Sequence, residues 1–171
     1  MQGPEAMYDI ASLLLAAVRD DLTELGITLN RVCVVPGQIA WDDCECGQLV
    51  VSLYRMWWSN DFPEEATAET RCNESLLCGQ FTFAYQTCAP NPVGRDLAPS
   101  CVALDASAQS VMAASWQMYT TLTCETQALA DRYEIMGRKL NSIYPKGPDG
   151  GCVGAEVQVS VAIRPGFGVA S

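Results

Sequence analysis

The chain contains no histidine. That removes Ser-His-Asp triads, Cys-His pairs, histidine general bases and every histidine-containing metal centre. Cations are scarce: 10 Lys and Arg stand against 20 Asp and Glu, a net charge of −10. Gripping nucleic acid by phosphate neutralisation needs a basic surface, so this balance argues against a nucleic-acid binder. Long apolar runs are missing too. The longest apolar-rich stretch, Ile10 to Val18, is interrupted by Ser12 and followed at once by Arg19-Asp20-Asp21. A spanning helix needs about 20 apolar residues, so no membrane partner is expected. The N-terminus carries Glu5 and Asp9 and lacks the basic start of a secretory signal. The expected place of synthesis is a cytoplasm, and the expected place of use is there or in a particle assembled there. The phosphate-cradling G-x-x-x-x-G-K-[ST] pattern, the helix-opening G-x-G-x-x-G and the G-x-S-x-G nucleophile elbow are all absent.

What is present fits one globular domain spanning residues 1–171. Apolar residues make up 49% and charged residues 18% of 171 positions, enough for a core of its own. Nine cysteines are rich for a reducing compartment, and an odd number leaves one outside any closed set of disulfides. Zinc is the sharp alternative. Structural zinc sites favour close pairs with two to four intervening residues. Cys44-Glu45-Cys46 has a single residue between its thiols, and Cys72 and Cys78 are too far apart. No zinc site and no other cofactor is therefore expected. Cys33, Cys124 and Cys152 read as buried thiols acting as small hydrophobes. The loop cysteines are candidates for late pairing in an oxidising exterior.

Pro4 to Leu25 has helical periodicity. Met7, Ile10, Leu14, Ala17, Val18, Leu22 and Leu25 fall on one face, with Pro4 suited to the first turn and Gly26 to the stop. Arg31 to Val35 is a short β-branched strand ending at Pro36-Gly37. Gly47 to Met56 predicts a second strand, with Leu49, Val51 and Leu53 on one face. Phe81 to Cys88 predicts a third. Ala155 to Ile163 is the cleanest: Ala155, Val157, Val159, Val161 and Ile163 alternate with Glu156, Gln158, Ser160 and Ala162. From Asp105, a candidate N-cap, a helical stripe runs to Met136 through Ala108, Val111, Met112, Met118, Tyr119, Leu122, Leu129 and Tyr133. Thr120, Thr121 and Thr123 mark a candidate break in that helix. Lys139 to Gly151 reads as a turn-rich link. The order predicts an α+β domain: an antiparallel or mixed sheet of about four strands, packed by an N-terminal and a long central helix. Long loops are expected at about 57–77 and 89–102, and long irregular segments are usually functional or disordered.

Candidate chemistry is thin. Asp42-Asp43 and Glu64-Glu65 have the oxygen ligands that suit a hard cation, without an EF-hand pattern. Asn73-Glu74-Ser75 matches a glycosylation sequon, set aside in the absence of a secretory signal. Trp57-Trp58 is more informative. Neighbours in an extended segment point to opposite sides, so one Trp can enter the core while the other faces out. An outward Trp beside acidic residues suits an interface anchor, and both rings covering the sheet edge is the competing reading. Trp57, Trp58, Phe62, Glu64 and Glu65 are the candidate interface residues.

The motif order carries a resemblance. A helix closed by Gly26 leads to a short strand and Pro36-Gly37, then Ala40-Trp41-Asp42 with Cys44, and Leu49-Val50-Val51-Ser52-Leu53. Phe81-Thr82-Phe83-Ala84-Tyr85-Gln86-Thr87-Cys88-Ala89-Pro90 follows, and after a helix Gly150-Gly151-Cys152-Val153-Gly154-Ala155-Glu156-Val157 opens the last strand. This order resembles the small neck proteins of long-tailed actinobacteriophages, the tail terminators or head-to-tail connectors. The resemblance implies a tail-terminator-like fold and a structural virion protein, not an enzyme. It implies a homohexameric ring assembled in the host cytoplasm that caps the tail tube. The implied partners are further copies of the chain, the major tail tube protein and the head-completion or stopper connector, with DNA in transit through the lumen. The polar face of the last strand (Glu156, Gln158, Ser160) would line that lumen, and its acidity would keep DNA from sticking. Three alternatives stay open: another neck ring, a cysteine-rich metal-binding or redox module, and a small acidic enzyme with paired carboxylates.

Overall fold

A computed structural model describes residues 4–41, 45–66, 75–91 and 98–165. Among these residues the fold is α+β, with a mixed five-stranded sheet and three helices. Helix α1 spans Pro4–Glu24, β1 Arg31–Val35, β2 Gln48–Ser59 and β3 Leu76–Cys88. Helix α2 spans Cys101–Ala128, the short α3 Ala130–Tyr133, β4 Ile135–Asp149 and β5 Cys152–Ile163. The strand order is β1-β2-β3-β5-β4; β1 runs parallel to β2 and the remaining pairs are antiparallel. No helix among the described residues is long and apolar enough to cross a membrane.

The α1 stripe packs as its periodicity predicts. Met7, Ile10, Leu14, Val18 and Leu22 are fully buried, while Leu25 is exposed beyond the last turn. Gly26 ends the helix at φ +79°, a left-handed conformation that costs glycine little. The Gly26 N–H donates to the Thr23 carbonyl (2.9 Å) and the Ile27 N–H to the Leu22 carbonyl (3.0 Å), the two bonds of a Schellman stop.

Both long helices cover one face of the sheet. Leu49 and Val51 of β2, Phe81, Phe83 and Tyr85 of β3, and Val157, Val159 and Val161 of β5 meet α1 and the second half of α2 (Ala114, Met118, Leu122). A polar clamp joins the helices: the Asp21 carboxylate accepts from the Thr121 hydroxyl and from Gln117 Nε2 at 3.2 Å. At Gly154 the β3 backbone comes so close that a Cβ would collide with the Tyr85 carbonyl, so only glycine fits there.

The central region differs from expectation in three ways. Residues 139–149 of the segment read as a link belong to β4, a fifth strand that begins at Ile135, so Met136 is not helical, while Gly150-Gly151 form the expected turn into β5. The prolines of β4 hid it; proline is tolerated on an edge strand because one side needs no N–H donors. Second, Ser100 and not Asp105 is the N-cap of α2, its hydroxyl accepting from the Ala103 N–H at 3.2 Å. Third, α2 runs through its threonines unbroken. Thr120, Thr121 and Thr123 each bond back to a carbonyl one turn earlier, at 3.1, 2.9 and 2.8 Å.

Candidate assembly surfaces

Among the described residues, the sheet's second face carries no helix. Gln48, Val50 and Ser52 of β2, Gln80, Thr82, Ala84 and Gln86 of β3, and Glu156, Gln158 and Ser160 of β5 share it. Side-chain amides cross the strands on this face. Arg55 Nε donates to Gln80 Oε1 (3.0 Å), Gln80 Nε2 to Gln158 Oε1 (3.0 Å), and Asn141 Nδ2 to the same oxygen (3.4 Å). A second row runs from Gln48 Nε2 to Gln86 Oε1 (3.2 Å) and from Gln86 Nε2 to the Ala40 carbonyl (2.8 Å).

The strand residues expected to line a passage sit together on this face, but Ser160 is buried and Glu156 and Gln158 are only half-buried. Their electrostatics differ from the acidic expectation. Glu156 pairs with Lys146 at 3.2 Å and accepts from Trp41 Nε1 at 3.2 Å. Lys139 stands opposite Ser160 in the register, and Arg55 lies 3.9 Å from Glu65. The face is amide-rich and of mixed sign.

The tryptophan pair divides as strand alternation demands, within β2 and not in a loop. Trp57 is 6% exposed and packs with Cys78 and Ala162 in a small apolar cluster that Phe62 and Leu76 complete. The Arg55 guanidinium lies over its ring at 4.4 Å. Phe62 turns inward over Gly137, where a Cβ would stand 2.6 Å from the ring. Trp57 and Phe62 are thus packed within the domain, whereas Trp58 (37% exposed), Glu64 and Glu65 remain at the surface. Glu69 and the rest of the stretch 67–74, with Cys72 and Asn73-Glu74 of the sequon, lie outside the described residues, as do Asp42, Asp43, Cys44 and the stretch 92–97.

The cysteines also sort by location. Cys46 and Cys88 form a disulfide, and Cys152, the register partner of Cys88, is likewise disulfide-bonded. Cys152 is therefore not the free thiol expected, and Cys124 is exposed, not buried; Cys33 is half-buried and free. Cys78 is the buried thiol, and burial pushes its pKa up to about 11. It stays protonated and unreactive at neutral pH.

The surface that pattern reading missed is α2 itself. All of its buried residues lie at Ala114 or beyond. The preceding turns, roughly 20 Å of helix at 1.5 Å per residue, stand over the β4–β5 end of the sheet without burying a residue of their own. They expose Val102 (80%), Leu104 (47%), Met112 (71%) and, one turn on, Trp116 (63%). The Trp116 ring stacks on Tyr119 with centroids 6.3 Å apart. At the helix base an apolar hollow of about 350 Å³ is lined by Pro90, Pro99, Leu104, Val111, Pro145 and Val153 among others. The stripe from Ala108 to Met136 mixed this exposed part with the packed part. One signal was available: no charged residue occurs between Asp105 and Glu125. A helix with a solvated face ordinarily carries charges there.

Compared with known proteins, the chain matches no family model and no curated protein.

Proposed function

We propose that this chain is a structural subunit of the neck of a long-tailed bacteriophage, of tail-terminator type. Copies close into a ring, a homohexamer by the resemblance. The ring caps the tail tube and joins it to the head-completion or stopper connector, and DNA passes through. Assembly takes place in the host cytoplasm and the mature location is the virion. The observation that carries this reading is the two-sided sheet. One face is covered by helices; the other carries no helix among the described residues and is lined by polar groups of mixed charge, half-buried at Glu156 and Gln158. A wall past which DNA must slide needs polar groups already engaged with one another, and no dense basic patch to hold phosphates. The amide rows around Gln80, Gln158 and Gln86 have that character. The motif order from Gly26 to Val157 supports the same assignment.

The test is to locate the chain in a particle. An antibody or a terminal tag on this protein, imaged by electron microscopy, is expected to mark the junction of head and tail. Label along the whole tube, on the capsid shell, or on no particle would contradict the reading. Label at the junction with a ring number other than six would favour another neck ring.

A further inference from the structure

The exposed half of α2 needs a partner, and the charge pattern indicates which. Every copy carries a net charge of −10, so two copies repel overall. The helix between Asp105 and Glu125 bears no charged residue, and Met112 and Trp116 are exposed on it. A cationic partner would be drawn to the acidic surfaces instead. An uncharged apolar patch on an acidic protein is where a second acidic copy can approach at least electrostatic cost. Exposed apolar patches of this kind mark interaction sites.

The geometry adds a direction. The same helix presents a ridge, Met112 and Trp116, and adjoins a hollow at its base bounded by Leu104 and Val111. A chain cannot place its own Trp116 in that hollow, because one rigid helix bears both and the ring is stacked on Tyr119. Ridge and hollow are different patches, so a contact between them is head-to-tail. Repetition of such a contact yields a ring if the rotation closes.

We infer that α2 is the contact between copies: the Met112–Trp116 ridge of one subunit seats against the apolar base of α2 on the next. This deepens the ring reading above and rests on it.

The experiment is sedimentation velocity of the purified full-length chain across a concentration series, beside Met112→Glu/Trp116→Glu and Trp116→Gln. Tyr54→Glu, at an exposed position of β2 away from α2, serves as the control. The wild type and the control are expected to form oligomers larger than a dimer as concentration rises. The double variant is expected to stay monomeric over at least a tenfold wider range, and Trp116→Gln to fall between. Circular dichroism should show the wild-type helix content in all of them, because the altered side chains are exposed. Oligomers of unchanged mass in a folded double variant would overturn the α2 contact and leave the ring standing. A wild type that stops at a twofold dimer would overturn the head-to-tail geometry. A wild type that is monomeric at every concentration, alone and on isolated tail tubes, would overturn the ring reading as well.

Discussion

Trp57 and Trp58 show how one residue step separates a structural role from a surface one. Trp57 lies against Cys78 and Ala162, one on each of the next two strands, with Phe62 folded over the cluster. Removing the ring leaves a cavity that the flanking strands cannot close, and Trp-to-Ala changes in such sites cost about 3–5 kcal/mol. Trp58 keeps 37% of its surface in water, so its truncation should cost about 1 kcal/mol or less. Urea unfolding of Trp57→Ala and Trp58→Ala is expected to separate them by at least about 2 kcal/mol. Equal losses would contradict the placement of the two rings. The same reasoning separates the thiols: Cys78 is sealed in that cluster, whereas Cys101 and Cys124 stand in solvent on α2.

Among the elements, the best-read ones bury a single face over their whole length. Helix α1 lies along the sheet, so its apolar stripe and its stop at Gly26 could be read residue by residue. β5 has the helices on one side and the more polar face on the other, and its sequence alternation is nearly perfect. β4 was hidden because it is an edge strand: it packs little, tolerates Pro145 and Pro148, and shows three register irregularities. Helix α2 misled in a different way. Periodicity cannot distinguish a core face from an exposed apolar one, so the exposed Met112 joined the buried Met118 and Leu122 in one stripe. The amide rows of the open face were equally out of reach, because they depend on register between strands distant in sequence. The disulfide between Cys46 and Cys88 pins the start of β2 to the end of β3. It closes a loop of sequence separation 42, for which loss of unfolded-state entropy predicts about 3–4 kcal/mol of stabilisation. Replacing both cysteines by serine is expected to lower the thermal midpoint by roughly 10 °C. An unchanged midpoint would show that strand pairing alone holds that end of the sheet.

At the scale of the whole molecule, the surfaces divide the labour. On the proposed reading, the acidic exterior would keep free copies apart, the uncharged stretch of α2 would give them one place to meet, and the amide-lined face would look onto whatever the assembly encloses. The division has a consequence for salt. Screening shortens the reach of repulsion between copies, from a Debye length of about 10 Å at 0.1 M salt to about 3 Å at 1 M, and it leaves apolar contact intact. Self-association through α2 therefore strengthens as salt is added, the reverse of a contact made by opposite charges.

Electron microscopy of the purified chain, concentrated in high salt and averaged in projection, tests the central claim most directly. The account predicts closed annular particles with an open passage and α2 at the seams between subunits. Particles that remain single subunits, or that pair and stop, would contradict it.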